Sequence, residues 1–102
     1  MRIYISGKIT GLNPEISQQY FQQVEDKLIQ GGHTPLNPWK ILPFDEKYTW
    51  HDYMAEDVKA IIHCDAMIML ENWTDSKGAK VEHALGVALG LKMFYCKNHD
   101  LF

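Results

Sequence analysis

The sequence predicts an α/β fold in one domain spanning residues 1–102, a mostly parallel sheet with helices on both faces. Three observations predict it. Strand-like and helix-like segments alternate in the order β-α-β-α-β-α-β. The run AMIML, from Ala66, is apolar without a break, as a strand covered on both faces should be. Two of the helical segments stop at glycines, Gly31-Gly32 and Gly90, residues that readily end a helix.

Each element has its own local reason. RIYISG, Arg2 to Gly7, reads as a short buried strand, with Ile3 and Ile5 flanking Tyr4 and Gly7 ending it. After the loop KITGLN, Asn13 caps a helix that has Pro14 at its first position. Tyr20, Phe21, Val24 and Leu28 then recur at helical spacing. HTPLNP is a weak second strand, broken by Pro35 and Pro38 and so short or at an edge. WKILPFDEKYT reads as an irregular loop over a site. The second helix runs from about Thr49 to His63, with Met54, Val58, Ile61 and Ile62 as its apolar stripe. The third runs from Ser76 to Leu89, with Val81, Ala84, Leu85, Ala88 and Leu89 as its stripe. KMFYC is the last strand, followed by a short tail, KNHDLF.

Composition narrows the function. The chain has 46% hydrophobic residues and a formal net charge of -3, so it is an ordinary globular composition with no basic run to hold a nucleic acid polymer. No apolar run reaches the roughly 18 residues of a membrane span and no signal peptide is evident, so a cytoplasmic protein without membrane attachment is expected. Cys64 and Cys96 lie in or beside apolar runs and read as buried free thiols. The five histidines are scattered without ligand spacing, so neither a metal nor another cofactor is expected.

In parallel α/β sheets, ligands sit at the carboxyl ends of the strands. Here those ends carry Gly7-Lys8-Ile9-Thr10-Gly11 and Glu71 to Gly78. The glycine loop lets backbone N–H groups approach an anion, helped by Lys8 or Thr10, although turn geometry alone explains its glycines equally well. Ser76 is a helix N-cap, and with Gly78 it could also hold a phosphate. At about 100° per residue, Glu82 borders the third helix's stripe and His83 falls on the far face. Asp57 likewise borders the second helix's stripe, two turns from Trp50, an aromatic able to stack on a planar base. On pattern alone, carboxylates that reach solvent remain the simpler reading of both positions.

Three segments, IYISGKITG, WHDYMAEDVKAIIHCDAMIMLENW and SKGAKVEHALGVALGLKMFYC, resemble the nucleoside 2-deoxyribosyltransferase superfamily, and most closely its short members grouped as a domain of unknown function. The most specific parts are the SxGAxxE block opening the third helix and the D-x7-D spacing of Asp57 and Asp65. The resemblance implies a flavodoxin-like, Rossmann-like three-layer sandwich with a four- or five-stranded sheet. It also implies cleavage or transfer at the N-glycosidic bond of a nucleoside or its 5′-monophosphate. Glu82 would then be the nucleophile, Asp57 would assist the sugar or the departing base, and Tyr4 would position them. Gly7, Lys8, Ile9, Thr10 and Ser76 would form the phosphate shell, and a homodimer or higher homo-oligomer is implied. Ser76 stands where the transferases carry an aspartate that recognises the base. A second reading, a nucleotide-binding or sequestering module without chemistry, follows from the short stretch beyond the fourth strand.

Overall fold

The computed structural model describes residues 1–96. Four strands form one sheet: β1 (Arg2–Ser6), β2 (Thr34–Leu36), β3 (Ala66–Met69) and β4 (Lys92–Tyr95). All pairings are parallel and the spatial order is β2-β1-β3-β4. The chain therefore moves outward in one direction from β1 to β2, then returns past β1 to β3 and β4. The reversal lies between β1 and β3, and that crevice is where such sheets bind ligands.

The helices are α1 (Pro14–Gln30), α2 (Pro38–Ile41), α3 (Trp50–Ile62) and α4 (Lys77–Ala88). The expected helix ends fall where capping chemistry puts them. Asn13 accepts from the N–H groups of Glu15 and Ile16, and Ser76 accepts from that of Ala79. Thr49 and Asp52 form a reciprocal capping box at the start of α3. The segment expected to be wholly irregular contains α2, begun by Asn37 and Pro38 in the same Asn-Pro arrangement that begins α1.

The alternation of β1 sorts the core into two layers. Ile3 and Ile5 face α1, where they meet Phe21, Val24 and Leu28 together with Ile68 of β3. Tyr4 faces the opposite way, into a layer with Ile61 of α3, Met67 and Met69 of β3, and Ala79 of α4. Helices thus cover both faces, as predicted. Each of these fully buried apolar side chains contributes on the order of 2 kcal/mol of burial free energy.

Two stripes differ from expectation. On α4, Val81 and Leu89 are each 45% exposed, while the buried positions are Ala79, Glu82 and Gly86. On α3, Ile62 is exposed and the buried positions are Asp57 and Ile61. The reason is steric. A Cβ placed on Gly86 would collide with the Met67 sulfur, so α4 meets the sheet along its smallest side chains. That rotation turns Glu82 inward instead of leaving it at the edge of a buried stripe. His83 is not free on a far face either: its ring stacks on Trp73 at 4.2 Å, and Nε2 lies 2.8 Å from the Tyr95 hydroxyl.

Candidate functional site

Period-two alternation sends both Tyr4 and Ser6 toward α3 and α4. Both are fully buried, and both meet Glu82, itself only 5% exposed. The Tyr4 hydroxyl donates to Glu82 Oε2 at 2.9 Å, and Ser6 Oγ donates to Glu82 Oε1 at 2.7 Å. Asp57, from the inward face of α3, is the third polar neighbour and is linked to Tyr4 and Glu82 by hydrogen bonding and charge. Four side chains from three elements thus converge beneath the crevice between β1 and β3.

Above them opens a cavity of about 300 Å³. Tyr4, Asp57 and Glu82 line its polar end. Gly7, Ile9 and Thr10 of the glycine loop contribute one side, and Ser76 and Gly78 at the start of α4 contribute another. Trp50 lines it too, with the Lys77 ammonium 4.6 Å from the centre of its ring. Of the expected site residues only Lys8 lies outside the lining; its backbone N–H donates to Asn72 Oδ1 at 3.0 Å, tying the first loop to the end of β3. Gly7 is required by close approach, since a Cβ there would come within 2.8 Å of the Leu70 side chain. Gly11 is required by its backbone, which has φ +86°.

Ser6 was not among the expected site residues, nor were the individual members of the apolar wall, which includes Trp39, Phe44 and Tyr53. Ser6 was detectable: it lies two residues after Tyr4, hence on the same face of a buried strand, and a polar side chain there needs a partner. Trp39 and Phe44 belong to the segment expected to lie over a site, but with no usable period there nothing marked which of its side chains face inward. Tyr53 anchors that segment, its hydroxyl accepting from Asp45 N–H at 2.9 Å and donating to Asp45 C=O at 3.1 Å. Asp65 of the D-x7-D spacing sits at the opposite end of the sheet, where it accepts from the Arg2 N–H.

The electrostatics follow from burial. Desolvation, then the charge of Asp57, holds the Glu82 carboxyl well above the usual carboxylate range, while the Ser6 and Tyr4 donors pull it down. Asp57 is pushed up to about 6, chiefly by burial and further by Glu56, against hydrogen bonds with Glu82 and Tyr4. The Tyr4 phenol is raised by burial and by both carboxyls, so it stays a donor. Two buried carboxyls in contact cannot both ionise cheaply, so at neutral pH the pair holds a shared proton. Burial places that proton on Glu82, and the Ser6 and Tyr4 donors aimed at its oxygens weaken its hold there.

Among the described residues, Asp57 and Glu82 are the only charged side chains lining the cavity. Also among the described residues, no three His, Cys, Asp or Glu side chains come together as a metal set. No helix there is long and apolar enough to cross a membrane.

The chain has the α/β fold of solved deoxyribosyltransferases. Three solved structures share it. The 2-deoxyribosyltransferase of Bacillus psychrosaccharolyticus superposes with a TM-score of 0.71 at 21% identity, over 100% of this chain and 77% of that one. The 2-deoxyribosyltransferase of Leishmania mexicana gives 0.70 at 22% identity, over 92% and 62%. The CMP N-glycosidase of Clostridium botulinum gives 0.64 at 17% identity, over 93% and 67%. The chain belongs to the family described as domain of unknown function DUF4406, whose pattern matches residues 1–95. No curated protein matches it in sequence.

Proposed function

We propose that this protein cleaves or transfers the N-glycosidic bond of a nucleoside or its 5′-monophosphate, with Glu82 as nucleophile. One observation carries the reading. Glu82 is held by two hydroxyl donors beside a second carboxyl, and among the described residues these two acids are the only charges on a cavity otherwise apolar, aromatic and polar-neutral. Glycoside cleavage builds positive charge on the sugar, and a cavity with only acidic charges stabilises it.

In the first step a Glu82 oxygen bonds to C1′ and the C1′–N bond breaks. Its electron pair leaves with the base, which takes a proton from Asp57. In the second step water, or the nitrogen of another base, attacks C1′ and gives its proton to Asp57, releasing Glu82. Trp50 and the aromatic wall offer faces for the base. Ser76, Gly78, Gly7, Ile9 and Thr10 offer neutral donors to a 5′-phosphate at the start of α4. The activities of the similarly folded proteins, deoxyribosyl transfer and hydrolysis of a nucleotide's glycosidic bond, support the same class of chemistry. A homodimer or higher homo-oligomer belongs to this proposal, and sedimentation equilibrium tests it.

Incubation with ribo- and deoxynucleosides and their 5′-monophosphates, followed by chromatography of free base, tests the activity. Release by the wild type, falling at least about 10³-fold in Glu82→Gln, is the expected result for loss of a nucleophile. Tight binding of a panel member recovered intact would instead support a sequestering module.

A further inference from the structure

We propose that Ser6 is a positioning residue: its hydroxyl fixes the rear oxygen of Glu82, so that the oxygen on the Tyr4 side is the one that meets the sugar. This rests on the reading of Glu82 as nucleophile. The two Glu82 oxygens have different surroundings. Oε2 is held by Tyr4, which lines the cavity, and Oε1 by Ser6, which does not. Ser6 is therefore behind the carboxylate and Tyr4 beside its working end.

Ser6 suits the task because it cannot move. It is the last residue of β1, in register with Met69, and its carbonyl accepts from the Leu70 N–H at 2.8 Å. Its side chain has one rotatable heavy-atom bond and is wholly buried. A long carboxylate side chain on a helix gains from such a fixed donor both a single orientation and a weaker hold on its proton. The groups facing Glu82 are Tyr4 and Ser6 from β1 and Asp57 from α3, the last under the influence of Glu56. Of these, Ser6 is the one whose loss removes a donor and leaves every other charge and the cavity lining in place.

The test follows Glu82 itself. With ¹³C-labelled glutamate, the side-chain carboxyl carbon of Glu82, assigned by its absence in Glu82→Gln, is titrated by NMR in wild type and Ser6→Ala. The pH profiles of kcat and KM are measured on whichever nucleoside or monophosphate releases base. The midpoint of Glu82 and the acid limb of kcat should both move up by about one pH unit. kcat should fall roughly tenfold, with KM changed by less than about twofold. Ser6→Cys keeps a weaker donor and should give smaller shifts in the same direction; it decides the matter if the alanine variant does not fold. An unmoved midpoint and limb in a folded variant would overturn the assignment even if base release depends on Glu82. A raised midpoint in a protein that releases no base would uphold the hold of Ser6 on Glu82 while the glycosidic reading fails.

Discussion

In the proposed chemistry Glu82 must carry charge where charge is costly. It and Asp57 both bind their proton more tightly in the folded protein than in the unfolded chain. Raised carboxyl values make the folded state the better proton binder, so this pair's contribution to stability is greatest below the unfolded value and is lost as pH rises through the folded one. For Asp57 that window runs from its ordinary 3.8 to about 6. Glu25 works the other way: hydrogen bonds from Lys40 and Gln22 outweigh its burial and hold it below its ordinary range, so its contribution is present above that range and lost in acid. Comparison with a variant isolates the site. Glu82→Gln removes the cost of ionising a buried carboxyl, so it should raise stability at pH 8, read as a higher Tm. It should also flatten the wild type's decline with rising pH, readable by calorimetry at a series of pH values. A variant less stable than wild type at pH 8 would contradict the strained carboxyl described here. Such a trade of stability for activity is common at sites of chemistry.

At the scale of elements, the starts of the three long helices and the buried face of α1 were legible, while the faces of α3 and α4 were not. Asn13, Thr49 and Ser76 announce helix starts through their own hydrogen-bonding chemistry, which needs no knowledge of the rest of the fold. The face of α4 depends on what it packs against. Bulk favoured Val81 and Leu89 as the buried stripe, but the sheet surface is filled by Met67 and Met93, and only small residues approach it closely. The misjudged rotation of α4 placed Glu82 at the border of a stripe when it is buried; Asp57 of α3 is buried as well. Gly86→Ala tests the close approach: despite the better helix propensity of alanine, its Cβ would press on the Met67 and Met93 sulfurs. A net loss of about 1–2 kcal/mol in urea unfolding is expected from overpacking. Ser76→Ala should cost about 1 kcal/mol through loss of the α4 cap, and by loosening the start of α4 it should also weaken binding at the cavity.

For the whole molecule, alternation of elements foretold a parallel sheet covered on both faces, and the cavity does open at the strands' carboxyl ends. The strand order itself was not written in any local pattern. Only the assembled order β2-β1-β3-β4 puts the reversal between β1 and β3, and only there do β1, α3 and α4 bring Tyr4, Ser6, Asp57 and Glu82 together. Residues far apart in sequence meet because the topology returns the chain past its first strand. The proposed chemistry turns on a bond between the Glu82 carboxylate and the sugar. The wild type, acid-quenched during turnover of a substrate from the panel and digested, should show by mass spectrometry a peptide containing Glu82 that carries the added glycosyl group. The adduct should be absent from Glu82→Gln. Base release with no adduct, or with the adduct on another residue, would contradict the claim.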